Sequence, residues 1–165
     1  MNIVALYGIL FALLIAAQVF VTATIEPNSM FSTILSVAML ALSILIPFMA
    51  VKAYKNQTEQ MSIGKALKVA VLVGLAGGFL GGLYAMVYYK FINPEAIDRV
   101  MEISREAIEK MGLSTDPDLV DKQMEMTRKM FIPGQFGGAL FSGLLYGVIG
   151  GVIGGLVYKS DSEEY

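Results

Sequence analysis

Apolar and charged positions divide this chain into four long charge-free stretches separated by polar connections. The stretches are Ile3–Ile25, Pro27–Val51, Val69–Tyr89 and Met130–Tyr158. A helix advances about 1.5 Å per residue, so about 20 residues cross a hydrocarbon core of about 30 Å. Each stretch is long enough. The expected fold is all-α: an integral membrane four-helix bundle, one membrane domain over 1–165, with spans at about 3–25, 29–51, 66–89 and 134–158. The first stretch reads as a span. It has no basic start, outruns a signal-peptide core, and Val21-Thr22-Ala23 is a poor cleavage site. Cleavage there would leave three spans.

The connections carry their own signals. Glu26-Pro27-Asn28-Ser29 reads as a tight turn that makes the first two spans an antiparallel hairpin. Pro47 predicts a packing kink in the second span. Ser62 can cap a helix starting near Ile63. The segment 90–130 is expected to be a two-helix amphipathic extramembrane insertion between spans three and four. Asn93-Pro94 starts its first helix, Ile97, Met101, Ile108 and Met111 recur at helical spacing, and Gly112 stops it. Asp116-Pro117 repeats the start, and Leu119, Met126 and Met130 share a face of the second helix. The two helices would lie on the membrane surface, fold back over it, or pack on a partner protein.

Composition then narrows the chemistry. Hydrophobic residues are 56% of the chain and charged ones only 16%, segregated into the connections, as in a membrane chain rather than a soluble one. Cys and His are absent, which excludes disulfides, thiol nucleophiles, Cys/His zinc sites and the commonest general base. No ionisable Asp, Glu, Lys or Arg lies inside an apolar stretch, which counts against a pump or proton-coupled carrier. The polar groups at depth are Gln18, Thr22, Ser36, Ser43, Ser142, Tyr84 and Tyr146. Gln18 is expected to hydrogen-bond to a neighbouring helix. Tyr54, Tyr88, Tyr89 and Tyr158 fit an interfacial belt.

Five of the nine acids of the long connection fall into i,i+4 pairs with bases: Glu95/Arg99, Arg105/Glu109, Glu106/Lys110, Asp118/Lys122 and Glu125/Lys129. That is the pattern of a solvated helix face. Asp116, Asp118 and Asp121 could form a loose cation site, but Asp116 reads better as an N-cap and Asp118 as a first-turn acid. No catalytic, cofactor-binding or metal-ligating residue and no nucleic-acid partner is expected.

Glycine carries the strongest remaining signal. Fourteen of the 17 glycines lie in the last two spans. Gly74, Gly77, Gly78, Gly81 and Gly82 occupy one arc of roughly 140° on the third helix. Gly143, Gly147, Gly150, Gly151, Gly154 and Gly155 do the same on the fourth, after an earlier group at Gly134, Gly137 and Gly138. Repeated GxxxG spacing predicts close backbone contact. The plain reading is that spans three and four pack together; the alternatives are a sliding interface or an oligomer seam. The first two spans lack the pattern, so a full inverted repeat is not supported.

Lys52, Lys55, Lys65 and Lys68 crowd one connection. They read as a topology signal, with contact to anionic headgroups a compatible function worth about 1 kcal/mol per residue. Their density places both termini in the cytoplasm, although the long connection carries more basic residues in total.

Met61-Ser62-Ile63-Gly64-Lys65-Ala66-Leu67-Lys68-Val69 leads into a glycine-rich span, followed by a Tyr88-Tyr89 exit, an acidic helical connection with Pro94, and a glycine-rich last span. In this layout the chain resembles a family of small bacterial membrane proteins catalogued as domain of unknown function 4199. The resemblance implies four helices and an inner-membrane location. The family has no assigned activity, so it brings no site residues. Members usually begin with basic residues, whereas this chain begins Met1-Asn2-Ile3. The expected function is a non-enzymatic accessory or scaffold subunit of a membrane complex, in contact with lipids and with a membrane-protein partner or further copies of itself. The alternative is a small lipid or solute transporter acting as an oligomer. A membrane enzyme comes third, because only the long connection could supply a carboxylate cluster.

Overall fold

The structure, a computed structural model, describes residues 2–25, 30–58, 60–110 and 117–159. Five helices account for almost all of them: α1 (Ile3–Thr24), α2 (Met30–Lys55), α3 (Ile63–Val87), α4 (Glu95–Lys110) and α5 (Pro117–Tyr158). There is no strand among the described residues. The four expected spans fall on α1, α2, α3 and α5, each long and apolar enough to cross a membrane. The proposed turn at Glu26–Ser29, the stop at Gly112, the cap at Asp116, and Met111 lie outside the described residues.

Local chemistry explains the helix starts. The Asn2 Oδ1 accepts from the Val4 backbone N–H at 3.1 Å and opens α1. The Ser62 Oγ accepts from the Lys65 N–H at 3.3 Å, so the expected cap of α3 is present. Asn93 caps α4 in the same way, its Oδ1 accepting from the Ala96 N–H at 3.2 Å. Glu95 and Asp98 then meet the positive end of the α4 dipole.

α3 and α5 pack antiparallel and form the centre of the bundle. α1 lies along another face of α3, and α2 along another face of α5. Pro47 sits inside α2 without ending it and is fully buried, close against Gly150. All the buried residues of α2 (Ser43, Pro47, Ala50 and Val51) lie in its second half. Its first half packs little on the rest of the chain.

Two features depart from the sequence reading. The second helix of the insertion has no break from the last span: α5 runs unbroken for 42 residues, about 63 Å, with Pro133 inside it. Its first part is therefore a continuous helical extension of the span. Tyr88 and Tyr89 are also not interfacial, being only 4% and 3% exposed. A π-helical turn, Tyr88–Ile92, ends α3, closed by the Asn93 N–H donating to the Tyr88 carbonyl at 2.8 Å. A regular helix would fan adjacent residues about 100° apart; in the wider turn both rings stay in the protein, packed with Ala96 of α4. Tyr54 and Tyr158 are partly buried at the opposite end.

Candidate functional site

The glycines divide into two stripes on each central helix. On α3, Gly74, Gly78 and Gly82 face α5, whereas Gly77 and Gly81 face α1. On α5, Gly143, Gly147, Gly151 and Gly155 face α3, whereas Gly150 and Gly154 face α2. Gly74 and Gly143 meet backbone to backbone: a methyl on either would strike the other's carbonyl oxygen. A Cβ at Gly147 would lie 2.8 Å from the Ala70 carbonyl oxygen, and one at Gly154 would lie 2.9 Å from Val51. In lipid there is little hydrophobic drive between helices, so this close approach and its dispersion energy hold the bundle. The glycine arcs are thus occupied within one chain.

Gly134, Gly137 and Gly138 behave differently. A Cβ at any of them would meet nothing within 4 Å. Together with the splayed first half of α2, they mark an open end. The bundle is zipped around Gly150 and Gly154 and gapes where α1 ends and α4 begins.

Two clefts occupy the gape. The first, about 360 Å³, lies between α1, α3 and α5, with Val100 of α4 at its edge. Gln18 and Thr22, Tyr89, and Gln135 and Ser142 supply its polar groups. The second, about 460 Å³, lies between the end of α1, the start of α2, and α4. Arg99 and the hydroxyl residues Ser32, Thr33, Ser36 and Ser104 line it. Thr22 and Val100 belong to both clefts.

The serine and threonine hydroxyls at depth are satisfied by their own helices. Thr22, Ser36 and Ser43 each donate 2.8 Å to the carbonyl four residues back, and Ser142 donates 3.1 Å to the Ala139 carbonyl. The Gln18 amide makes no such bond. It lines the first cleft instead of bonding to a neighbouring helix, because α1 and α5 stand apart at its level. Gln135 was missed by sequence reasoning, although a glutamine inside an apolar stretch is itself the signal.

Outside the spans, α4 pairs with the first part of α5 as an antiparallel arm. Asp98 meets Arg128 at 2.7 Å and Arg105 meets Asp121 at 3.0 Å. Of the expected i,i+4 pairs, Glu106–Lys110 and Glu125–Lys129 form at 3.0 and 2.7 Å. The Lys129 ammonium, by hydrogen bond and charge, holds the exposed Glu125 carboxyl below its usual range. Arg99 turns to the bundle, donating 2.9 Å to the Ala23 carbonyl at the negative end of α1. The expected apolar face of α4 is used: Met101 is buried and Ile97 and Ile108 are partly so. The expected face of α5 is not. Leu119, Met126 and Met130 are 59%, 62% and 60% exposed, while Val120 is the residue buried.

At the zipped end, Lys52 and Lys55 close the last turn of α2, and Lys65 and Lys68 sit in the first turns of α3. Lys65 Nζ donates to the Gln60 carbonyl at 3.3 Å. All four therefore share one end, away from both clefts.

This arrangement defines an all-α, multi-pass membrane protein with a helical arm. The chain belongs to the family described as protein of unknown function (DUF4199), whose model matches residues 4–160. No curated protein and no solved structure matches it.

Proposed function

We propose that the protein is a non-enzymatic accessory subunit that presents its α4–α5 arm to a membrane-protein partner. The carrying observation is the exposed Leu119, Met126 and Met130 face on an arm that continues a span without a break. An unbroken helix carries that face away from the lipid, where apolar side chains gain by meeting a protein surface. The glycine arcs are already filled, so the arm is the better place for a partner. A transporter is the weaker reading. It needs a polar path from end to end, and the polar groups gather at the open end while Gly150, Gly154 and Val51 close the other.

Purification of the tagged protein in gentle detergent, with mass spectrometry of what accompanies it, tests this. A stoichiometric membrane protein should copurify and be lost on combining Leu119→Glu, Met126→Glu and Met130→Glu. A homo-oligomer with no partner would sink the reading.

We place the chain in the bacterial inner membrane with both termini and the lysine connection in the cytoplasm. The lysines then mark topology and meet anionic headgroups. Because the chain has no Cys, single cysteines report cleanly. Glu106→Cys should react with an impermeant maleimide in intact cells and Gln57→Cys only after permeabilisation; the reverse pattern inverts the topology.

A further inference from the structure

We infer that the first cleft binds the ester-linked acyl region of a membrane lipid, with the Gln18 and Gln135 amides donating to its carbonyl oxygens. This goes beyond the accessory reading and does not depend on it. Gln18 and Gln135 are the two glutamines of the apolar stretches, and they line one cleft from different helices. Neither side chain has a hydrogen-bond partner among the described residues. An unpaired amide in hydrocarbon is costly, so two of them at one opening call for a polar guest.

The level and lining say which guest. Gln18 lies six residues before Thr24, the last residue of α1, so it sits about 9 Å inside the span's end. That is the outer part of the hydrocarbon core, next to the layer where lipid esters lie. No Asp, Glu, Lys or Arg lines the cleft, so the bound portion is uncharged. Ile15, Val19 and Phe131 supply apolar wall. Gly134 and Gly138 have no neighbour where a Cβ would point, so an acyl chain can lie directly on the α5 backbone. The guest's hydrogen bonds to the amides replace those that water would otherwise supply.

Photolabelling tests this with the full chain in nanodiscs of diether phosphatidylcholine, a matrix without ester carbonyls. Two probes carry the same diazirine alkyl chain, one a diester phosphatidylcholine and the other its diether analogue. The diester probe should label peptides covering Ile15–Thr22 and Phe131–Ser142 about tenfold more than the diether probe, the effect of two modest hydrogen bonds. Combining Gln18→Leu and Gln135→Leu should erase that preference. Gly138→Leu, whose Cβ would meet nothing within 4 Å, should fill the cleft and abolish labelling by both probes. Equal labelling by the two probes, or labelling of the cleft no greater than of the exposed half of α2, would mean ordinary lipid contact and overturn the inference. The probe comparison on the unmodified chain decides the matter even where the glutamine variants fold poorly.

Discussion

Gly74→Ala should destabilise the bundle severely, while Gly137→Ala on the neighbouring central helix should be neutral or stabilising. The substitution is chemically identical, so the difference isolates the space around each residue. At Gly74 the new methyl runs into the carbonyl oxygen of Gly143, part of a backbone that cannot rotate away as a side chain would. Overpacking of a well-packed core costs about 1–3 kcal/mol, and backbone-on-backbone contact belongs at the upper end or beyond. Gly143→Ala meets the Gly74 carbonyl reciprocally and should behave alike. At Gly137 a methyl enters open space, and only the helix-propensity gain of up to about 1 kcal/mol remains. Unfolding in detergent, followed by far-ultraviolet circular dichroism, reads both. Similar losses at Gly74 and Gly137 would rule out the α3–α5 pairing described above.

The contrast shows which parts of the fold were legible in the sequence. Span positions were, because the bilayer imposes a length and the charges stop at its edges. Ser62 and Asn93 were legible as caps because capping depends on a side chain and a backbone N–H only a few residues apart. The glycines were legible as packing residues but not as to partner. An arc of roughly 140° is wide enough for two neighbours, and helical periodicity alone does not count them. The structure divides each arc between two helices and leaves Gly134, Gly137 and Gly138 uncovered, although their composition matches the rest.

The candidate site was harder to read, for a related reason. Gln18, Thr22 and Ser142 were recognised as polar groups at depth, but they lie on helices far apart in sequence. Their convergence with Gln135 depends on α1 and α5 separating at one end, which no local pattern encodes. The tyrosine pair failed for a tertiary reason too. Tyr88-Tyr89 at a span end is a sound interfacial signal until α4 folds back across it. The continuity of α5 was masked by the change from charged to apolar composition near Met130. That change marks where the environment alters, and a helix can pass through it unbroken.

Phe11→Ala tests the other kind of glycine contact. Phe11 is 1% exposed, and it fills the groove left by Gly77: a Cβ there would lie 2.5 Å from Phe11 Cδ1 and 2.9 Å from the Gly8 carbonyl oxygen. Gly77 on α3 thus receives a large side chain from α1, whereas Gly74 and Gly78 receive backbone from α5. In lipid the transfer contribution to Phe11 burial largely vanishes, because the separated helix would expose the ring to hydrocarbon. The cavity contribution remains: at ~24 cal/mol per Å³ over roughly 100 Å³, it is about 2 kcal/mol. Gly77→Ala alone should also destabilise, by pressing on the Phe11 ring and Cβ and on the Gly8 carbonyl. With Phe11 already alanine, the contact with its ring is gone and that share of the Gly77→Ala penalty should go with it, while the contacts with the residue-11 Cβ at 2.6 Å and the Gly8 carbonyl at 2.9 Å remain. The double variant should therefore be more stable than the sum of the single losses predicts, with a coupling of about 0.5–3 kcal/mol between touching residues. Strict additivity in the same unfolding assay would mean that the Phe11 ring does not press on Gly77. The docking of α1 on α3, and with it the α1 wall of the glutamine cleft, would then have to be redrawn.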